Sequence, residues 1–438
     1  MATAPSPHIE EQHATHHGFR DARAHGFGAL RSVPFRWYFA GQAVSASGTF
    51  VQQTALGWAI LAITGSASQL GITLAAGGIP QLLFGVLGGS IADRFDNRRL
   101  LLITQTLQGL LAAGLWLIAA TGHLSIAWII GISVAAGFVQ VVDSPTRQAF
   151  VAQLVPAEDL GSAASLNGVL VNGSRVLGPA LAGALIVSAG TTACFAVNGV
   201  TYVVGLATLL AIRPIRPVAP RQGRGGVRQA IAYVSRHEQL YVPLGMVALV
   251  GLVVFNFNLV LPLLAKFTYH GSGGTYGLLS TLLSVGAVAG SLTVGALGHP
   301  RRQTLVVSCM AFGTFLALTA LMPNVAGACV TLLLAGFCGY VLVTTATTSL
   351  QLHAAPEYRG RVMALWVLVF LGTTPIGNLA VGWLCSAAGP RAALWAAAGS
   401  CLLAAAAASR VRTPPNPDAG MVEPDPGRPT VEGPVKRP

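Results

Sequence analysis

Charge is scarce in this sequence. Lys, Arg, Asp and Glu make up 9% of the 438 residues, against roughly 25% in an average soluble domain, and acids are the scarcer sign, 14 against 26 Lys and Arg. So few charges cannot clothe a water-exposed fold. Other absences narrow the chemistry. The six cysteines (Cys194, Cys309, Cys329, Cys338, Cys385, Cys401) lie within apolar runs without paired spacing, which excludes a disulfide framework or metal site and leaves small packing residues. No Gly-x-x-x-x-Gly-Lys-Ser/Thr loop is present to cradle a nucleotide, so ATP is not a driver. No group of His, Cys and acids gathers in the apolar runs, which argues against a membrane enzyme and calls for no cofactor or metal. Residues 1–33 lack the compact apolar core of a cleavable signal segment and are expected to remain as a disordered tail. His8, His13, His16, His17 and His25 in that tail have no ligand spacing, so disorder is preferred to a metal tract. The Pro-rich stretch 411–438 reads the same way.

What is abundant is apolar surface: 53% hydrophobic residues and a mean hydropathy of +0.64. Runs of about 20 apolar residues, each enough to cross a bilayer as a helix, recur twelve times: 36–63, 69–92, 100–121, 125–146, 162–188, 192–212, 240–266, 275–298, 304–322, 326–352, 361–387 and 391–410. An open sheet edge would leave N–H and C=O groups unsatisfied in hydrocarbon, so these runs are helices. Lys and Arg are retained on the cytoplasmic side of short loops. With a cytoplasmic N-terminus, only Lys266, Arg391 and the intramembrane Arg175 escape that side, so both termini are expected inside, in a cell inner membrane. The net charge of +12 then serves topology and anionic head groups and needs no nucleic-acid partner.

The chain also repeats itself. GGSIADRFDNRRLLL (88–102), after the second run, is echoed by VGALGHPRRQTLVV (294–307) after the eighth, pairing Arg98-Arg99 with Arg301-Arg302. VPAEDLGSAASLNG (155–168), before the fifth run, is echoed by APEYRGRVMALW (355–366) before the eleventh, and Gly183 then aligns with Gly382. The offsets cluster near about 200 residues, which predicts duplicated helical units. The expected organisation is a tail (1–33), a six-helix bundle (34–212), a cytoplasmic linker (213–239), a second six-helix bundle (240–410) and a tail (411–438).

Twelve runs, a duplicated half, a basic linker and the segment Gly89-x-x-x-Asp93-Arg94-x-x-x-Arg98-Arg99 together resemble the major facilitator superfamily over about residues 34–410. Within it, GQAVSASGTFVQQTALGWAI (41–60), DSPTRQAFVAQLVPAEDL (143–160), LNGVLVNGSRVLGPALAGALI (166–186) and PEYRGRVMAL (356–365) resemble the branch of the enterobactin exporter and macrolide-efflux-like proteins. The resemblance implies an all-α membrane protein of twelve transmembrane helices in two pseudo-symmetric six-helix bundles. It also implies a secondary transporter that exports a small amphipathic organic molecule, drug-like or siderophore-like, by alternating access and proton-coupled antiport. An uptake symporter or uncoupled facilitator is the alternative. The protein is expected to act as a monomer.

Residue by residue, the resemblance makes Gly89, Asp93, Arg94, Arg98 and Arg99 a gate, with Asp93 near the start of the eleventh helix and Arg94 paired to an acid at the inner end of the fourth. The competing reading is that these charges only set topology and solvate a loop. Asp143, about 27 Å along the fourth run from Ser125, has Arg147 four residues on and on its own face. It reads as the gate partner of Arg94 and Arg147 in preference to a proton carrier. Arg175, near mid-membrane, needs a partner: a helix carbonyl, a water-filled cavity, Asp143, or an anionic group on the cargo. Gly178, Pro179 and Gly183 resemble the fifth-helix signature of exporting antiporters. Gln53, Gln140, Asn172, Asn256, Asn258 and Asn378, with Phe255 and Phe257, fall on helices expected to line a central cavity suited to an amphipathic organic molecule. The first run carries glutamines where many drug antiporters keep an acid, which leaves the coupling open.

Overall fold

The computed structural model describes residues 28–212, 227–297 and 301–410, and the expectations for both tails and most of the linker lie outside these residues. Helix is the only extended regular structure among the described residues. Each of the twelve predicted spans falls on helix. We number these α1 (Val33–Thr64), α2 (Ala67–Arg94), α3 (Asn97–Ala120), α4 (Ile126–Val151), α5 and α6 (the arms of Leu160–Ala211 before and after Gly190), and α7 (Glu238–Val253 continued by Phe257–Leu263). The remainder are α8 (Gly273–Leu297), α9 (Arg302–Leu321), α10 (Val325–His353), α11 (Pro356–Ala388) and α12 (Pro390–Arg410). Among the described residues, nine helices are individually long and apolar enough to cross a membrane, the continuous stretch through α5 and α6 counting as one.

Local chemistry sets the boundaries. Ser32, Ser66, Asp96 and Asn324 cap α1, α2, α3 and α10 through side-chain oxygens that accept first-turn N–H groups, relieving amides that a helix start leaves unpaired. Asp96 accepts from Arg99 N at 2.8 Å, so one of the two acids in the charged loop holds a helix end. Gly190 (φ 79°) and Gly389 (φ 82°) turn the chain between α5 and α6 and between α11 and α12, a conformation that disfavours any Cβ. They sit at the repeat offset. The duplication is therefore built into the turns as well as the loop motifs.

Two six-helix bundles result, the arrangement that the resemblance implies. In the first, α1 packs along α5 and α6, α2 along α4, and α3 against α4 and α6. In the second, α8 packs along α10, and α9 along α10 and α12. The bundles meet through α5 with α8 and α2 with α11. At both seams glycine lets backbones touch: a Cβ on Gly277 would lie 2.6 Å from Gly183 Cα, and one on Gly382 would lie 3.1 Å from Gly71 Cα. Small residues at such crossings replace the hydrophobic force that lipid removes. Gly183 and Gly382, aligned by the repeat, mark equivalent seams. Both lie toward the end of the molecule away from the linker, where Ser68 Oγ also meets Ser386 Oγ at 2.7 Å and Lys266 Nζ donates to Leu61 O at 2.5 Å. At the linker end the charged α2–α3 turn stands clear, with Asp93, Arg94, Phe95 and Asp96 exposed.

Candidate functional site

Between the bundles lies a cavity of about 490 Å³, within the range that holds a drug-sized ligand. Both sides mix polar and apolar groups, in different proportions. The first bundle contributes Phe50, Gln53 and Thr54 (α1), Gln81 (α2), Gln140 and Ser144 (α4) and Arg175 (α5). The second contributes most of the rings, Phe255 and Phe257 (α7), Phe312 (α9), Tyr340 (α10) and Phe370 (α11), with the polar Asn258 (α7), Ser280 and Ser284 (α8) and Thr374 (α11) among them. Phe255 lies 6.0 Å from Phe312 and 5.3 Å from Phe370 between ring centroids, and Phe257 lies 6.4 Å from Phe312. These spacings are those of favourable aromatic pairs.

Arg175 occupies the middle of α5, equally far in sequence from Leu160 and Gly190. Its guanidinium carbon stands 5.8 Å from the Phe50 ring centroid and 5.5 Å from that of Tyr340. Phe50 belongs to the first bundle and Tyr340 to the second, so the cation bridges the two walls through ring faces. It makes no hydrogen bond or ion pair with any described residue. Among the described cavity-lining residues it is the one with a formal charge.

Asp143, by contrast, is turned away from the cavity and sealed. It is 3% exposed. Its Oδ1 accepts from Thr104 Oγ1 at 2.7 Å, and Oδ2 accepts from Arg147 Nη2 at 2.6 Å and Nε at 3.1 Å. Arg147 also donates to Gln42 Oε1. With its amide oxygen turned inward, Gln105 accepts from Arg147 Nη1 and Nη2 at 3.2 and 3.0 Å. This knot ties α1, α3 and α4 together inside one bundle. Arg94 does not reach it in this conformation: the exposed Arg94 side chain lies outside a carboxylate whose two oxygens already have donors.

The remaining motif residues divide. Arg98 donates Nη2 to Leu210 O at 2.8 Å, a cation on the last carbonyls of α6 where the helix dipole favours it. Arg98 thus acts within its own bundle. Arg99 is exposed. Gly89 has open space where a Cβ would go, and the tight contact belongs to its neighbour Gly88, whose Cβ would collide with Val141 O. Gly178 and Gly183, read together as one motif, face different partners: a Cβ on Gly178 would meet Phe50 of α1, while Gly183 meets Gly277 of α8. The Pro179 carbonyl oxygen lies 2.7 Å from where a Gly277 Cβ would sit.

Three expected lining residues are elsewhere. Asn256 is 2% exposed and sits in the break of α7. Its Nδ2 donates to Leu252 O at 2.9 Å, satisfying a carbonyl that the interrupted helix frees. Asn378 is buried where α11 crosses α2, its backbone carbonyl facing Gly71. Asn172 is half-buried outside the lining. Gln81, Ser144, Phe312, Tyr340 and Phe370 were not anticipated. In a helix flanked by lipid on one side and apolar protein on the other, residue type alone does not reveal the inward face.

Comparison with known proteins agrees with this geometry. A family described as transmembrane secretion effector matches residues 24–436. The staphyloferrin A transporter of Staphylococcus aureus is 23% identical over 354 residues, 78% of this chain and 87% of that protein. The enterobactin exporter EntS of Salmonella paratyphi A is 27% identical over 327 residues, 74% of this chain and 78% of its own length. A bacterial homologue of the human lysosomal transporter Spinster, in an inward-facing and occupied conformation, superposes with a TM-score of 0.70 at 15% identity, covering 86% of this chain and 98% of that one. A D-xylose–proton symporter gives 0.66 at 16% identity, covering 87% and 96%. At these identities the structural likeness is one of fold. Two bundles meeting around a cavity, together with a family match spanning nearly the whole length, establish that the chain belongs to the transmembrane secretion effector family of the major facilitator superfamily, as a multi-pass membrane transporter and not an enzyme.

Proposed function

We propose that this transporter exports a small amphipathic organic molecule by alternating access, working as a monomer with its linker end and both termini on the cytoplasmic side. One observation carries the reading: a cavity between the bundles combines polar groups of both bundles and the Arg175 charge with six aromatic rings, five of them from the second bundle, and the close glycine crossings of the two bundles lie toward the far end. A cargo entering from the linker end would be released outward once the seams part and the linker end closes. The relatives named for siderophores support a cargo of that size and mixed polarity.

In the closed linker end we place Asp93 at the N-terminus of α11. Here that helix start has no side-chain cap of its own, and Ala355 N donates instead to Tyr233 Oη of the linker helix Val227–Val234 at 3.1 Å. A carboxylate beside those amides is favoured by about 0.3–1 kcal/mol, more when partly buried. Proton antiport, implied by the family resemblance, finds no carboxylate on the described cavity wall, and Asp143 is held by Arg147.

The test is efflux from cells lacking their own pumps, preloaded with fluorescent drugs and a catecholate siderophore. Faster loss than from empty-vector cells is the expected result. Uptake in place of loss would reverse the direction. Asp93→Asn should slow efflux while membrane insertion stays normal, and unchanged efflux would remove Asp93 from the gate.

A further inference from the structure

Resting on the export reading, we infer that the cargo is an aromatic monoanion held by Arg175, and that the membrane potential, not a proton, drives it outward. The charge inventory carries the first part. Among the described lining residues, Arg175 alone is charged, no acid lies among them, and none of them hydrogen-bonds its guanidinium. The Arg175 guanidinium is half-buried between the Phe50 and Tyr340 rings, and a cation near mid-membrane calls for a partner of opposite charge. An anion entering the cavity supplies that partner through charge-assisted hydrogen bonds. A cationic guest would repel the guanidinium, and a dianion would leave one charge unmatched. The rings of Phe255, Phe312, Tyr340 and Phe370 supply the apolar faces on which an aromatic body stacks.

The second part follows from charge balance. Loaded, the cavity is neutral; empty, it carries the positive charge of Arg175. Each export cycle therefore moves one negative charge outward, by a neutral outward step and a return of the empty, positively charged carrier. An inside-negative potential favours that return. It sets an equilibrium outside-to-inside ratio of about 50-fold per 100 mV for a monoanion. No titrating carboxylate is required, which agrees with Asp143 being locked to Arg147 at 2.6 Å.

The test uses the full chain in phosphatidylethanolamine/phosphatidylglycerol vesicles loaded with naphthalene-1-sulfonate, an aromatic anion at every accessible pH. Potential is set with potassium and valinomycin at equal pH on both sides. The expected result is efflux accelerated by an inside-negative potential toward that ratio, lost in Arg175→Met and partly retained in Arg175→Lys. Naphthalene-1,5-disulfonate and 1-naphthylmethylammonium should not be carried. Binding is read separately from the naphthalene fluorescence with the detergent-solubilised full chain, where Arg175→Met should weaken affinity at least about tenfold, the scale of one charge-assisted contact.

Sulfonate efflux that follows a pH gradient and ignores potential would overturn the electrogenic cycle. Carriage of the ammonium analogue, or sulfonate binding unaffected by Arg175→Met, would overturn the anion site and leave the transport reading intact. Absence of both binding and flux for the sulfonate would also overturn the inference. Arg175-dependent binding without flux would uphold the anion site and count against the carrier reading instead.

Discussion

From the first six helices the cavity receives Arg175, Gln53, Gln81, Gln140 and Ser144 with one ring, Phe50; from the last six it receives five rings, Phe255, Phe257, Phe312, Tyr340 and Phe370, with Asn258, Ser280, Ser284 and Thr374 among them. The two bundles otherwise share small details. Arg98 donates to Leu210 O at the end of α6, and Arg302, of the matching Arg301-Arg302 pair at the start of α9, donates to Ala408 O near the end of α12. Gly190 and Gly389 make the same turn. Gly183 and Gly382 make the same kind of seam. What the bundles have in common fixes helix ends and crossings, and what differs faces the cavity. Duplication supplied a frame, and the walls carry the specificity.

A second difference lies in the ion pairs. The first bundle buries Asp143–Arg147, at side-chain exposures of 4% and 22%, in a network with Thr104, Gln42 and Gln105. The second holds Glu238–Arg302 nearer solvent, at 18% and 29%. The largest effect should come from breaking the buried pair. Asp143→Ala leaves Arg147 with only amide acceptors in a closed site, and removal of one member of a buried pair costs on the order of 3–5 kcal/mol. Thermal unfolding in detergent should show a large drop in midpoint, with loss of folded yield. A stable Asp143→Ala protein that had lost only its pH dependence of transport would instead make Asp143 a proton carrier.

Next in size are the seams. Gly277→Val would push a side chain into Gly183, and Gly71→Val would do the same to Gly382. Overpacking of this kind costs about 1–3 kcal/mol, which shifts the population with the far end closed by about 5- to 150-fold. Disulfide formation between Ser68→Cys and Ser386→Cys, in a Cys385→Ser background, reads closure directly. Both valine variants should lower its yield. An effect at one seam alone would break the equivalence drawn between α5–α8 and α2–α11.

The walls come third. Phe312→Ala or Phe370→Ala removes aromatic contacts worth about 0.5–1.5 kcal/mol beyond their area, so cargo affinity should weaken by about two- to tenfold. Gln140→Ala, on the first bundle's wall, should change discrimination among cargoes more than affinity for one of them. Competition between two labelled cargoes in the efflux assay separates these outcomes. Equal effects on both measures from both walls would erase the division of labour.

How much of this was legible beforehand depended on what each residue has to contrast with. The spans, the duplication and the equivalence of Gly183 with Gly382 stand out because turns, charges and glycines are rare signals against an apolar background. Arg175 and Asp143 stand out for the same reason. Of the aromatic residues, the sequence points to Phe255 and Phe257 as lining but not to Phe312, Tyr340 and Phe370, since Trp116, Trp128, Trp383 and Trp395 are equally aromatic and lie exposed on the outer faces of their helices. Asn256 and Asn378 misled because a polar side chain in a span is equally well used on a broken helix or a crossing. The Arg147 knot left one overlooked clue: Gln42, Gln105, Asp143 and Arg147 all fall within a few turns of the linker end of α1, α3 and α4.

The smallest effect belongs to Glu238, and it tests the contrast most sharply. Glu238 Oε1 accepts from Arg302 Nη1 at 2.8 Å, a shorter distance than many stabilising pairs show, so geometry alone would rank it beside Asp143. Exposure argues otherwise. Water reaches both partners, screens their attraction and remains available to either when the other is removed, and such pairs contribute about 0.2–1 kcal/mol. Arg302 also keeps its bond to the Ala408 carbonyl when the carboxylate is gone. Glu238→Gln should therefore move the unfolding midpoint by only a degree or two, an effect that shrinks further in 0.5 M salt, while Asp143→Asn remains strongly destabilising at either ionic strength. Comparable losses from the two substitutions would mean that distance, not burial, decides what holds each bundle together at its linker end.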